Sequence, residues 1–169
     1  MQRMPAKQSP FGAPGFGQLS PQLDAINIQL LRALQEDPSA STAALARTIG
    51  MSAPAVTERL ARLREAHVLL GIQVQLDPKA LGLPIAAYIR VRPGPGLLPK
   101  VADLARATPE VVECHRITGE DCFLMKVHAA AVEDLERVID GFLAFAQTTT
   151  SIVQSSPVPP RPLPLPLLD

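Results

Sequence analysis

The sequence predicts an α+β fold in two domains: an N-terminal helix-turn-helix of the winged-helix-like kind, joined to a C-terminal ferredoxin-like βαββαβ domain. Three observations predict it. Apolar residues recur at helical spacing between Leu23 and Leu63. Beyond Leu69 the period falls to two. Breakers at Asp37-Pro38, Gly50, Asp77-Pro78, Pro93-Gly94-Pro95-Gly96 and Gly119-Glu120-Asp121 fall where one element must give way to the next.

The elements follow in order. Leu23, Ile26, Leu30, Leu31 and Leu34 share one face of a first helix, for which Ser20-Pro21 offers a start and Asp37-Pro38 a stop. Ser41 or Thr42 caps a short second helix carrying Leu45, Ala46 and Ile49, which ends at Gly50, a residue free to take positive φ. Ser52 caps the third helix, Pro54 sits in its first turn, and Val56, Leu60 and Leu63 form its buried stripe. A linker strand over 71–84 carries Ile72, Val74 and Leu76 in alternation. Then come a strand Ile85 to Val91, a helix from Leu97 to Ala107, strands Val111 to Thr118 and Cys122 to His128, a helix Ala131 to Phe145, and a strand from Thr149 to Val158. The domains expected are therefore 19–70, the linker 71–84 and 85–158. Residues 1–18, rich in Pro, Gly, Gln and Ser, read as a flexible arm, and 159–169 as an extended, peripheral Pro-rich tail.

Composition narrows the function classes. A hydrophobic share of 47% is that of packed cores rather than disorder, and no apolar run is long enough to span a bilayer, so the expectation is a cytoplasmic protein without a membrane partner. The formal net charge of +0 removes bulk charge as an argument for nucleic acid, so any such argument must be local. Cys114 and Cys122 lack the paired spacing of a zinc site and read as reduced core thiols; no metal or cofactor is implied.

The local argument lies in the third helix. At about 100° per residue, Val56, Leu60 and Leu63 point inward and leave Pro54, Glu58, Ala61, Arg62 and Glu65 outward, flanked by Ala55, Thr57 and Arg59. Small residues among Thr, Glu and Arg suit close approach to a DNA groove. Ser52, Ala53, Ala55, Thr57, Glu58, Arg59 and Arg62 are the candidate contacts: the arginines for guanine or phosphate, Glu58 for a cytosine amine. The competing reading is an ordinary solvated face with local ion pairs.

Leu23-Asp24 with Leu30-Leu31, Leu45-Ala46, Ile49-Gly50-Met51-Ser52, Val56, Arg59 and Arg62-Leu63 together resemble the helix-turn-helix signature of the Lrp/AsnC family of transcriptional regulators. Leu76-Asp77-Pro78-Lys79-Ala80-Leu81-Gly82 and Ile117-Thr118-Gly119-Glu120-Asp121-Cys122-Phe123 resemble that family's later motifs, in the same order. The chain departs from the pattern at Asn27, where an acidic residue is common, around Asp37 to Ser39, where an Arg is common, and at His67, where a Gly closes the recognition helix. His67 must then adopt a left-handed cap.

The resemblance implies a sequence-specific regulator of double-stranded DNA whose second domain senses an amino acid or related metabolite. It places Thr118, Gly119, Glu120 and Asp121 at the ligand: Gly119 for backbone approach, Thr118 for its hydroxyl, Asp121 for an α-ammonium group. Ordinary hairpin-turn chemistry is the rival account of the same residues. A sheet with both helices on one face is expected to bury its other, apolar face against a second copy, giving a homodimer or larger homo-oligomer; Met125, Val127, Val111, Ile117, Ile152 and Val153 are shared between core and interface. Two alternatives stay open. One is an enzyme like the sirohaem decarboxylases, using His115, Arg116 and His128, though none has a nucleophile or paired acid at diagnostic spacing. The other is an interaction module whose helix-turn-helix binds protein.

Overall fold

A computed structural model describes residues 15–167, so the expected N-terminal arm lies outside the described residues except for its last four. The chain divides into two compact units: residues 1–73 together with 160–169, and residues 74–159.

The first unit contains three helices, α1 (Ala25–Glu36), α2 (Thr42–Ile49) and α3 (Ala53–Glu65). Helix α1 starts later than Ser20-Pro21 suggested. Asp24 is its N-cap, the side chain accepting the Asn27 N–H at 2.6 Å, while Ser20 accepts Leu23 N–H in a preceding turn. Aspartate caps as well as serine does, and this one has a further partner described below. Ser41 caps α2 through Ala44 N–H, and Gly50 ends it at φ 73°. Leu30, Val56 and Leu63 are fully buried, with Leu31, Leu34, Leu45, Ala46 and Leu60 completing the cluster. Burying each such aliphatic chain contributes about 1.5–3 kcal/mol.

Helix α3 closes in a Schellman motif. Val68 N–H bonds to Leu63 C=O and His67 N–H to Arg64 C=O, with His67 at φ 53° and Val68 packed on the cluster. The left-handed cap expected at His67 is thus present. No strand accompanies the three helices among the described residues, so the unit carries no wing. The linker strand predicted over 71–84 is also irregular in this chain. Its alternation is real, but Ile72, Val74 and Leu76 are exposed and the backbone has no ladder partner.

The second unit is βαββαβ: β1 (Ile85–Pro93), α4 (Leu98–Ala107), β2 (Val111–Arg116), β3 (Phe123–Ala129), α5 (Val132–Leu143) and β4 (Ala146–Ile152). The sheet order is β2-β3-β1-β4, all neighbours antiparallel. Ala87, Ile89, Val91, Phe123, Met125 and Val127 face Val101, Ala105, Leu135, Val138 and Phe142 of the two helices, so both helices cover one face.

Strand β4 begins three residues before the expected Thr149 and stops at Ile152. Its pairing with β1 runs from Pro93↔Ala146 to Ala87↔Ile152, so its start is set by the end of β1 at Pro93. Two expectations are corrected here. Cys114 is exposed, because edge strand β2 has a neighbour on one side alone, and Cys122 is only half-buried, because it lies at the end of the β2–β3 turn. The sheet's open face is polar: it carries Tyr88, Arg90, Arg92, Leu124, Lys126, His128, Glu113 and His115, while Met125 and Val127 turn into the core.

Candidate DNA interface and ligand turn

Ser52, exposed at the head of α3, accepts the Ala55 N–H at 3.4 Å. Thr57, Glu58 and Arg62 are exposed on the following two turns; Ala53, Ala55 and Arg59 are half-buried between them and the core. Thr57 donates its hydroxyl to Ala53 C=O at 3.0 Å. The expected residues therefore belong to a single helix and its cap, with Glu58 and Arg62 facing outward, Ala53 and Thr57 on one flank of the buried stripe and Ala55 and Arg59 on the other. Their side chains are not equivalent.

Among the described residues Arg62 pairs only with Glu58, one turn back, and both side chains are 64% exposed. Such an exposed i,i+4 pair is worth about 0.5 kcal/mol and gives way readily to a phosphate. Arg59 is 25% exposed, and its guanidinium donates to Asp24 Oδ2 at 2.7 Å and to Asn27 Oδ1 at 3.0 Å. Asn27, 5% exposed, completes its amide by donating to Gln22 C=O at 2.7 Å. Desolvation alone would raise the Asp24 carboxyl. The Arg59 hydrogen bond, the Asn27 N–H and the Arg59 charge outweigh it and hold the group below the ordinary carboxylate value. Arg59 thus fastens α3 to the head of α1. Pro21, Gln22, Asp24, Met51, Glu58 and Arg62 border a shallow hollow around this junction.

Sequence reasoning did not single out Arg47 and Arg64, exposed cations near the ends of α2 and α3, neither of which has an ion-pair partner among the described residues. Isolated arginines leave no spacing signal.

In the second unit the predicted turn is a compact loop between β2 and β3, closed by Ile117 N–H to Cys122 C=O and tied to β1 by Cys122 N–H to Val91 C=O, each 3.0 Å. Gly119 takes φ 112°, which any side chain would strain, and the space around its missing Cβ is open. Thr118 and Glu120 are exposed and Asp121 is half-buried.

Two residues missing from the expectation stand opposite. Arg92 donates to Glu120 Oε2 at 2.6 Å and lies 3.8 Å from Asp121 Oδ1; Arg90 lies 3.7 Å from Asp121 Oδ2. Their signal was their alternation on β1, which sends both guanidinium groups out of the core. The turn and the strand together present two cations and two anions on the open side of the sheet.

His115 and His128 also lie on that face, His115 3.5 Å from Glu113 Oε2 and His128 beside Lys126. Burial, then the Lys126 charge, holds His128 below its ordinary value against the opposing pull of Glu113 and the Leu83 backbone, so it favours the neutral form. Arg116 points toward the helix side of edge strand β2, opposite Phe123. The three residues of the enzyme alternative therefore share no site.

Three capped helices with a left-handed glycine between the second and third, followed by a ferredoxin-like unit, are the architecture of a two-domain transcriptional regulator. The chain belongs to the Lrp/AsnC family: residues 23–64 match the AsnC-type helix-turn-helix domain and residues 86–163 the Lrp/AsnC ligand binding domain. It is similar to the HTH-type transcriptional regulator LrpC of Bacillus subtilis, 29% identical over 79% of this chain and 92% of LrpC. It is also similar to YezC of the same organism, an uncharacterized HTH-type transcriptional regulator, 31% identical over 79% of this chain and 95% of YezC. A solved transcriptional regulator of Neisseria meningitidis in complex with L-methionine superposes with TM-score 0.76 at 26% identity, covering 84% of this chain and 96% of that one. The protein is a DNA-binding transcriptional regulator and not an enzyme, which sets aside the decarboxylase-like alternative. No described helix is long and apolar enough to cross a membrane.

Proposed function

We propose that the N-terminal turns of α3 read a specific duplex sequence, and that the turn 118–121 with Arg90 and Arg92 binds an amino acid that modulates this reading. Arg62 is the principal phosphate or guanine contact, Glu58 reads bases once Arg62 leaves it, and Ser52, Ala53, Ala55 and Thr57 form the close-approach surface. Arg59 acts by holding the helix at its angle.

The observation that carries the effector half is the pairing of Arg90 and Arg92 with Glu120 and Asp121. A zwitterion needs a cation for its carboxylate and an anion for its ammonium, and this cluster offers both beside an open glycine. Its exposed internal pairs are weak enough to be exchanged for ligand contacts. The methionine complex of the Neisseria relative supports the ligand class.

A panel of L-amino acids tests this by thermal shift. One of them should stabilise the wild-type protein, by mass action on the folded state, and stabilise Arg92→Ala and Asp121→Ala much less. A shift retained in full by both variants would move the ligand elsewhere. The protein acts as a homodimer or larger homo-oligomer in the cytoplasm, since two recognition helices related by a two-fold axis match a palindromic site.

A further inference from the structure

The Pro-rich tail, expected to be peripheral, groups instead with the N-terminal helices. Its contact is selective. Leu165 packs against the cluster formed by α1, α2 and α3, and Pro166 is buried, whereas Leu163 is 80% and Leu167 81% exposed. The Gln35 side-chain amide, in the last turn of α1, donates to Leu163 C=O at 3.0 Å.

This combination has the physics of peptide recognition. An extended segment with Pro at 162, 164 and 166 lacks three backbone donors, so most of its hydrogen-bonding demand is for donors to its carbonyls, and Gln35 supplies one. The prolines also restrict the free segment, which lowers the entropy lost on docking. Leu165 and Pro166 then enter the surface as the apolar anchor while the flanking leucines stay in solvent, as in other polyproline-type ligands.

We propose that the N-terminal unit carries a groove for an extended Pro-Leu segment, reached beside Gln35, and that residues 161–167 of the same chain are its resident ligand. The docked tail is a strap on α1. That helix also carries Asn27 and is capped by Asp24, the two acceptors of Arg59, so a strap on it supports the element from which the recognition helix is oriented.

The test uses the full chain. Leu165→Asp should accelerate amide exchange throughout α1 several-fold while leaving the β1 and β3 amides protected. A synthetic peptide of residues 161–167 should restore that protection in Leu165→Asp and bind this variant saturably, yet not bind the wild type, whose groove is filled. Unchanged exchange in α1, or no rescue by the peptide, would overturn the proposal.

A second variant settles which tail is bound. In a Cys114→Ser, Cys122→Ser background, Gln35→Cys with Leu163→Cys should be joined by a short bis-maleimide within one chain. A dimer-sized product, or no product, would overturn the assignment to the same chain.

Discussion

Arg59 and Arg62 sit three residues apart on one helix and look alike in the sequence, yet their surroundings divide them. Arg62→Ala should lower the slope of log affinity against log salt by about 1, since one phosphate contact is lost. Arg59→Ala should leave that slope near the wild-type value and instead lower the unfolding midpoint of the N-terminal unit, because it leaves the buried Asn27 Oδ1 without its donor. Salt titrations and thermal melts of both variants separate the two roles. Asp24 carries a pH consequence. Its folded value lies below the unfolded one, so its contribution is complete above the ordinary carboxylate value and is lost as pH falls through the folded value. Acid denaturation of the N-terminal unit should lose part of its pH dependence in Asp24→Asn. At His67 the left-handed backbone costs an ordinary residue about 1–2 kcal/mol. Glycine removes that strain but regains about 0.4–1 kcal/mol of unfolded-state freedom. His67→Gly should therefore stabilise by about 0.5–1 kcal/mol in denaturant titration. The strained cap at His67 was legible through the family resemblance, in which a Gly closes the recognition helix at that position. The partner of Arg59 was not, since Asp24 is 35 positions away and only packing brings them together.

At the scale of elements, what could be read was whatever the chain decides locally. Ser41, Gly50 and Ser52 mark their helix ends because capping involves residues within one turn, and Ser52→Ala should cost about 1 kcal/mol of stability by denaturant titration. The six elements of the second unit were found in order from period and breakers. Boundaries set by a neighbour were not: β4 follows β1, and nothing within 146–152 announces that register. The linker failed for the converse reason. Ile72, Val74 and Leu76 alternate as a strand should, but alternation only prepares a strand, and pairing must come from another backbone. The open face of the sheet was expected to be apolar because strand residues were counted without fixing their parity. Once Ala87, Ile89 and Val91 are known to point inward, Tyr88, Arg90 and Arg92 must point out, and their ion pairs with Glu120 and Asp121 follow.

For the whole molecule, the strongest sign of self-association is this same linker. Ile72, Val74 and Leu76 are all exposed, Val74 to 83%, an arrangement that invites a second copy to supply the missing ladder and cover. On the proposed homodimer, Val74→Lys should shift the sedimentation profile toward monomer and weaken operator binding by more than the loss of one contact, because two-fold recognition would go with the dimer. The tail has a different kind of consequence. The N-terminal unit is assembled from two stretches of chain, residues 1–73 and 160–169, with the whole second unit encoded between them. On the ribosome the three helices emerge first but wait for Leu165 until after all four strands have been made. The helical unit thus gains the packing of Leu165 only after the sheet encoded between its two stretches has been synthesised.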